Sequence, residues 1–202
     1  MILLIRHGQT RWNEQAGEKF RGRADIDLDD VGIRQAELTA KRVASWPVKA
    51  IYSSPLKRAL RTAEILTSPF KLKVKPLEGL IDLDFGQWQG LSHEEAVSLY
   101  PELYQRWFQN PHEVTFPQGE SLDKVRERVM EALRGLLFQH EEETIVLVSH
   151  KMVCKVLILG ILGIDNSHFW QIEQYTCAVN LVEVRGERLR VMLINDTCHL
   201  KA

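Results

Sequence analysis

Short, uninterrupted apolar runs occur at several points along the chain, and polar segments follow them. Residues 2–5 (ILLI), 50–53 (AIYS) and 144–149 (TIVLVS) have this continuous pattern, which is typical of strands buried on both faces. Residues 71–77 (KLKVKPL) instead alternate between apolar and polar side chains, which favours a strand nearer the edge of a sheet. The pattern therefore predicts buried central strands and one more exposed strand.

Between these runs, apolar residues recur every three or four positions, as they do on the buried face of a helix. Three segments show this spacing, and their apolar residues are Ala36, Leu38, Ala40 and Val43; Leu56, Ala59, Leu60, Ala63 and Leu66; and Leu122, Val125, Val129, Leu133 and Leu136. The last set predicts a long helix over residues 121–139. Strands that alternate with helices predict a mostly parallel sheet with helices on both faces. The expected fold is a three-layer α/β/α sandwich.

Two further patterns add elements to this alternation. Residues 92–95 (SHEE) have the form of a capping box with Ser92 as N-cap, so we expect a helix to begin there. We interpret the surrounding Pro-bearing stretch as a helical insertion at about residues 92–120, within a single domain of residues 1–202. Near the end of the chain, residues 178–184 (AVNLVEV) and 189–195 (LRVMLIN) flank RGER, which predicts an antiparallel hairpin at an edge of the sheet.

Composition narrows the class of protein. The 202 residues, 45% of them hydrophobic, can bury one sizeable core, and a net charge of -1 supplies no global field for nucleic acid or an anionic membrane. The opening MILLIRHG is too short for a signal-peptide core or a membrane span. We therefore expect a soluble, cytoplasmic protein without nucleic-acid or membrane partners. Cys154, Cys177 and Cys198 lack metal-type spacing and are expected to be buried, reduced thiols.

Polar side chains follow the predicted strands where those strands end, and ligands of open α/β sheets bind beyond the carboxyl ends of the strands. The side chains that could converge there are Arg6, His7, Arg58, Asp82, Asp84 and His150. Two arginines suit a phosphate group, because each offers planar donors and keeps its charge. Their positive charge also opposes protonation of His7, which leaves a ring nitrogen free as a nucleophile.

A phosphoryl transfer needs further groups beyond the nucleophile. His150 is expected to stabilise the charge that develops on the phosphoryl oxygens, and a carboxylate is expected to protonate the leaving alcohol. Asp82 is the candidate acid, and Asp84 is the rival, because alternate residues of an extended segment share one side. Gly8 is expected to leave room for the phosphate.

Four segments in this order resemble the histidine phosphatases, a family that includes phosphatases and cofactor-dependent phosphoglycerate mutases. They are LIRHGQTRWN (4–13), RGRADIDLDDVGIRQA (21–36), YSSPLKRALRTAEI (52–65) and VSH (148–150). The resemblance implies His7 as nucleophile, His150 as the second catalytic histidine, and no metal or organic cofactor. It also implies phosphate contacts from Arg6, Asn13, Gly22 and Arg58, and a substrate contact from Arg23.

The chain departs from this family pattern at three positions. Family members usually carry Glu three residues before FG, where this chain has Asp82, and glycine commonly follows the second histidine, where it has Lys151. The Lys151 ammonium either adds to the positive charge of the pocket or points to solvent. NPHEVTFPQGESL (110–122) and NDTCHL (195–200) resemble metal-independent phosphoserine phosphatases, but those carry a histidine where this chain has Phe85. Phosphoserine, α-ribazole phosphate, sugar phosphates and phosphoglycerate therefore all stay open as substrates.

Three functions are compatible with this set of residues: a phosphatase, a phosphoglycerate mutase and a non-catalytic phospholigand-binding module. Residues 82–90 (DLDFGQWQG) stand where mutases resemble ERHYG, so the residues that hold a mutase substrate are absent. We therefore predict a phosphomonoesterase acting on a small phosphorylated metabolite. Its terminal hairpin and NDTCHL tail could form a homodimer edge. The remaining histidines are expected to cap, pack or face solvent, and aromatic residues such as Trp107, Phe108 and Trp170 to pack in the core or roof the pocket.

Overall fold

The chain folds into a sheet flanked by helices, and the computed structural model describes residues 1–13, 19–186 and 188–201. The strands are β1 (Ile2–Arg6), β2 (Val48–Ser53), β3 (Val74–Pro76), β4 (Thr144–Ser149), β5 (Val179–Arg185) and β6 (Arg188–Asp196). The helices are α1 (Asp30–Val43), α2 (Lys57–Leu66), α3 (His93–Leu99), α4 (Pro101–Gln109), α5 (Leu122–Gln139) and α6 (Lys151–Leu162). Every strand and long helix expected from the apolar pattern is present.

The strands of the described chain form one mixed sheet in the order β3-β2-β4-β1-β5-β6. β1, β2, β3 and β4 pair in parallel, whereas β5 runs antiparallel to β1 and β6 runs antiparallel to β5. This confirms the mostly parallel sheet with an antiparallel C-terminal hairpin at one edge. β3 forms the other edge, as its alternating pattern predicted. Glu187, which belongs to the RGER segment predicted to join the two hairpin strands, lies outside the described residues.

Two apolar cores cover the two faces of the sheet, which confirms the three-layer arrangement. Alternate side chains of β1, such as Leu3 and Ile5, pack with α1 and α2, while Ile2 and Leu4 pack with α5 and α6. All five β1 residues are buried, so β1 and its neighbour β4 are central to both cores. Side chains placed just beyond these two strands are therefore held by rigid backbone.

The segment between β3 and α5 contains the two short helices α3 and α4. The predicted capping box is present at the start of α3: the Ser92 hydroxyl accepts from the Glu95 N–H, and the Glu95 carboxylate accepts from the Ser92 N–H. Pro101 occupies the first turn of α4, where its missing N–H costs nothing. Together with the following turn, these helices bring a group of aromatic side chains over the carboxyl end of the sheet.

Two properties concern the chain as a whole. Among the described residues, no helix combines the length and apolar character needed to cross a membrane. The three cysteines are free thiols, and Cys154 and Cys177 are buried as expected. Cys198 is exposed, so the expectation of burial was wrong for it. It lies in a short turn after β6, beyond the last strand that could cover it.

Candidate active site

The ends of β1 and β4 bring two histidines together. Arg6 pairs with Ser149 in the parallel register, so His7 and His150 follow side by side at the carboxyl ends of β1 and β4. The His7 N–H donates to the Ser149 carbonyl at 2.9 Å, and the two imidazole ring centroids are 5.2 Å apart. Both side chains are buried. The sheet thus places two imidazoles from distant parts of the sequence side by side.

The His7 ring is held in one tautomer. Its Nδ1 lies 2.7 Å from the Gly8 carbonyl oxygen, which can only accept, so Nδ1 carries the hydrogen. The lone pair is therefore on Nε2, and His7 lines the cavity described below. Burial, together with the charges of Arg58, Arg6 and Arg21, holds the pKa of His7 well below its ordinary value. The ring is neutral at pH 7 and has an available nucleophilic nitrogen.

The loop that carries His7 rests directly on helix α1. A Cβ on Gly8 would lie 2.5 Å from the Gly32 carbonyl oxygen, and a Cβ on Gly32 would lie 2.1 Å from the Gln9 carbonyl oxygen. The Gly8 N–H also donates to the Thr62 hydroxyl at 3.1 Å. Glycine is needed at position 8 because the backbone of α1 approaches there, which differs from the expected role of leaving room for phosphate.

Arg58 links several segments around the site. Its Nε donates to Nδ1 of His150 at 3.2 Å, and its Nη2 donates to Asp82 Oδ2 at 3.0 Å and to the Gly22 carbonyl at 2.7 Å. Its Nη1 donates to the Ala24 carbonyl at 2.7 Å. Arg58 is fully buried and does not line the cavity. In this arrangement its hydrogens hold protein groups in place beneath the cavity lining.

The tautomer of His150 follows from the same contact. A guanidinium can only donate, so Nδ1 of His150 is the acceptor and Nε2 carries the hydrogen. That hydrogen is directed at the Ser54 hydroxyl, 2.7 Å away. Burial and the charge of Arg58 hold the pKa of His150 well below its ordinary value. His150 is thus a second neutral imidazole, packed between Arg58 and His7.

The two candidate carboxylates have different surroundings. Asp82 lines the cavity, and its Oδ2 lies 3.0 Å from Arg58 and 3.5 Å from Nδ1 of His150. Burial raises the pKa of Asp82, although Arg58 counteracts this rise. Asp84 does not line the cavity; it accepts from the Gly86 N–H at 2.8 Å and pairs with Arg23 at 3.3 Å. Asp82 is therefore the carboxylate that shares a site with His7.

A cavity of about 200 Å³ opens at the carboxyl ends of these central strands. Half of its polar lining residues are cationic, namely Arg6, Lys19, Arg21 and Lys151, and the others are His7, Asn13, Asp82 and His93. Gly22 also lines it with a φ of +49°, and its missing side chain allows close approach to the Leu83 carbonyl and the Phe85 ring. The Asn13 amide oxygen accepts from the Thr10 N–H at 3.0 Å and from its hydroxyl at 3.1 Å, so the Asn13 NH₂ group remains to donate.

Several lining residues were not singled out from the sequence. Arg21 lines the cavity, whereas Arg23 lies in an ion-pair cluster with Asp84 and Glu120. In a regular strand, Arg21 and Arg23 would lie on the same side, because residues i and i+2 share one side. The left-handed backbone at Gly22 breaks this regularity, so the two side chains lie in different places. His93 was expected to cap, pack or face solvent, yet it lines the cavity while its Nδ1 lies 3.0 Å from the Tyr104 hydroxyl.

The apolar part of the lining is mainly aromatic, and its members are Phe20, Phe85, Trp107, Phe108, Met152 and Trp170. Phe108 and Trp170 stack at 5.2 Å with an interplanar angle of 16°. The indole N–H of Trp170 donates to the Trp107 carbonyl at 2.8 Å, which fixes the contact between α4 and the segment after α6. Rigid aromatic rings therefore enclose the apolar side of the cavity.

Three comparisons identify related proteins. The family model of the histidine phosphatase superfamily (branch 1) matches residues 2–197. Phosphoserine phosphatase 1 of Hydrogenobacter thermophilus is 34% identical over 199 residues, which cover 98% of this chain and 93% of that protein. A metal-independent phosphoserine phosphatase of Arabidopsis thaliana is 32% identical over 205 residues, or 100% of this chain and 83% of that protein.

A solved structure supports the same grouping. Bacillus stearothermophilus YhfR superimposes with a TM-score of 0.94 at 30% identity, and the match covers 99% of this chain and 98% of that one. The family match therefore includes the histidine-bearing ends of β1 and β4 and the segments that supply Arg58 and Asp82. The chain belongs to branch 1 of the histidine phosphatase superfamily.

Proposed function

We propose that this chain hydrolyses small phosphomonoesters through a phosphohistidine intermediate on His7. The observation that carries the proposal is the Nε2 lone pair of a buried, neutral His7 in a cavity lined by guanidinium groups. Relatives named as phosphatases support the same reaction class. In the first step, Nε2 attacks phosphorus and the bond to the alcohol oxygen breaks. The Gly8 carbonyl, by accepting from Nδ1–H, stabilises the positive charge that develops on the ring.

Phosphate binding is assigned to the cationic side of the cavity. Arg6 and Arg21 offer charged donors, and the Asn13 NH₂ group offers a neutral one. Helix α6 begins directly after His150, so the positive end of its helix dipole would also face an anion bound in this region. We also predict that Arg23, Asp84 and Phe85 contact the substrate, and of these Phe85 lines the cavity.

Asp82 is the proposed general acid and base. Its raised pKa favours the protonated form that the leaving alcohol requires, and a bound phosphate dianion would raise the pKa further. After the alcohol leaves, the Asp82 carboxylate takes a proton from water, which attacks the phosphohistidine and releases phosphate. His150 is proposed to stabilise the phosphoryl oxygens, which requires its Nε2–H to exchange the Ser54 hydroxyl for the substrate.

Replacing His7 tests the nucleophile. We expect His7→Ala to lower hydrolysis of p-nitrophenyl phosphate by roughly three orders of magnitude or more, because no other group then accepts the phosphoryl group. The matched control is His168→Ala, since the His168 side chain is 45% exposed and lies outside the cavity lining. The wild-type chain should also form an acid-labile phosphoenzyme that the His7→Ala variant lacks. Substantial turnover by the His7→Ala variant would overturn the assignment.

Two further assays delimit the reaction. Among the described residues, no group of three or more His, Cys, Asp or Glu side chains could hold a metal ion, and we expect activity to survive EDTA. Incubation with 3-phosphoglycerate should release inorganic phosphate. Isomerisation without phosphate release would instead favour a mutase and contradict the proposal.

A further inference from the structure

Three charged side chains form a chain of contacts from the cavity wall into the protein interior. Lys151 lines the cavity, and its ammonium lies 3.3 Å from Glu173 Oε2. Lys155, one turn further along α6, lies 3.3 Å from the other oxygen, Oε1, of the same carboxylate. Glu173 therefore binds two ammonium groups, and the described groups of this cluster carry a net charge of about +1 when all three are ionised.

The position of Lys155 is unusual for a lysine, because its side chain is fully buried. Its ammonium lies 4.9 Å from the ring centroid of Phe169 and 4.7 Å from that of Trp170, which lines the cavity. Cation–π contacts and the Glu173 carboxylate offset the cost of burying this charge. Burial lowers the pKa of Lys155 to about 8, although Glu173 counteracts this, so the lysine is still mostly charged at pH 7.

Lys151 and Lys155 affect the charge at the cavity wall in different ways. With Lys151 and Glu173 alone, the pair would be neutral and would attract a second anion only weakly. Lys155 balances the Glu173 carboxylate from the buried side, so the Lys151 ammonium keeps an uncompensated positive charge at the wall. Because Lys151 directly follows His150, this charge lies close to the proposed phosphoryl site, within the same cavity of about 200 Å³.

We propose that Lys151 binds a carboxylate on the alcohol part of the substrate, and that Lys155 is a positioning residue that maintains this specificity through Glu173. The proposal rests on the proposed phosphatase function and names a substrate class for it: phosphomonoesters that carry a carboxylate. A single ammonium suits one carboxylate, whereas a second phosphate dianion is typically held by several donors or by an arginine fork.

Matched substrate pairs test this proposal at pH 7. O-phosphoserine and O-phosphoethanolamine differ only in the carboxylate, and 3-phosphoglycerate and glycerol 3-phosphate form a second pair. We expect kcat/KM of the wild type to favour the carboxylate-bearing member of each pair by about tenfold or more, mainly through KM. Lys151→Ala should reduce this ratio to near one, and Lys151→Arg should retain part of it. Lys124→Ala, which removes an exposed lysine from the first turn of α5, should leave the ratio unchanged.

A double variant separates the charge of Lys155 from its packing. Lys155→Met keeps a flexible apolar chain between the two rings but leaves Glu173 to neutralise Lys151, so the ratio should fall several-fold. Adding Glu173→Gln to Lys155→Met restores the net charge, and the ratio should rise again toward the wild-type value. A purely structural role of Lys155 would not respond to this second change.

The outcomes distinguish the two levels of the proposal. A wild-type ratio near one, or a ratio that Lys151→Ala does not change, would overturn the carboxylate assignment while p-nitrophenyl phosphate hydrolysis still supported the phosphatase. A ratio that stays low in the Lys155→Met/Glu173→Gln variant would overturn the role of Lys155. Failure of the wild type to hydrolyse p-nitrophenyl phosphate or any of the four metabolites would instead overturn the proposed function itself.

Discussion

At the scale of single residues, the site depends on buried charges whose hydrogen-bond partners are already in place. Arg58 donates to Asp82, to His150 and to two backbone carbonyls, so it orients the proposed acid and one imidazole at once. Replacing Arg58 with a neutral residue would leave the Asp82 carboxylate buried without its compensating charge, which typically costs several kcal/mol of stability. A lysine offers no fork of donors and would not restore these contacts.

The assignment of the acid is tested by replacing Asp82 with asparagine, which keeps the shape and removes the proton. We expect roughly a hundredfold or larger loss on an alkyl phosphate such as glycerol 2-phosphate, whose leaving group needs a proton. The loss on p-nitrophenyl phosphate should be at least tenfold smaller, because nitrophenolate leaves readily without protonation. Asp84→Asn is the matched control and should not change the ratio of the two rates. Equal losses on both substrates in the Asp82→Asn variant would contradict an acid role.

How far the sequence predicted the site depended on where each residue lies relative to a strand end. His7, Asp82 and the second histidine follow predicted strands or family motifs, and they were identified as one group. Arg21 was missed because only the left-handed conformation at Gly22 decides whether it or Arg23 faces the cavity. His93 was missed because it reaches the cavity only through the packing of α3 and α4 over the sheet, which a capping box cannot encode.

At the scale of elements, the contact between α1 and the loop after β1 sets the position of His7, the proposed nucleophile. Asp29 caps α1 by accepting from the Gly32 N–H at 2.7 Å, and the Asp29 N–H donates to the Gln9 carbonyl at 3.1 Å. The Gln9 N–H in turn donates to the Gln35 side chain at 2.9 Å. The apolar period predicted the existence of α1. The close backbone contact depends on Gly8, in the loop after β1, and Gly32, in α1. The spacing of apolar residues cannot predict such a contact.

Substituting Gly32 by alanine tests this contact. The new methyl group would overlap the Gln9 carbonyl, so we expect the free energy of unfolding to fall by about 3 kcal/mol and kcat to fall as His7 shifts. Gly135→Ala is the matched control, because Gly135 lies within α5 with open space around it. That change should stabilise the chain by about 0.5–1 kcal/mol and leave kcat unchanged. Equal effects of the two substitutions on unfolding would contradict a tight contact at Gly32.

At the scale of the whole molecule, two buried neutral imidazoles lie at the carboxyl ends of β1 and β4, the central strands of a sheet covered on both faces. The alternation of strands and helices was sufficient to predict this architecture, because strands buried on both sides leave continuous apolar runs. A single domain of residues 1–202 and a homodimer through β6 both stay predictions. β6 is an edge strand of the described sheet, and Met192 and Ile194 on it are exposed.

The buried histidines make the stability of the fold depend on pH. Their folded pKa values lie well below the ordinary value of about 6.5, so the unfolded chain binds more protons below that pH. Their contribution is therefore present above about pH 6.5 and is lost as pH falls, by up to roughly 1 kcal/mol per histidine at pH 5.5. Between pH 7.5 and 5.5, His7→Gln should lose less stability than the wild type in urea unfolding, by up to roughly 1 kcal/mol. His168→Gln should follow the wild-type curve, and an unchanged pH dependence in His7→Gln would contradict a buried neutral ring.

The pairing of β1 with β4 also determines when the chain can become active during its synthesis. His7 emerges from the ribosome before the elements that carry Arg58 and Asp82, and β4 and His150 follow those elements. Until β4 inserts between β1 and β2, the proposed nucleophile has neither its neighbouring imidazole nor a closed cavity around it. We therefore expect a nascent chain to acquire the proposed phosphoryl chemistry only when β4 completes the centre of the sheet.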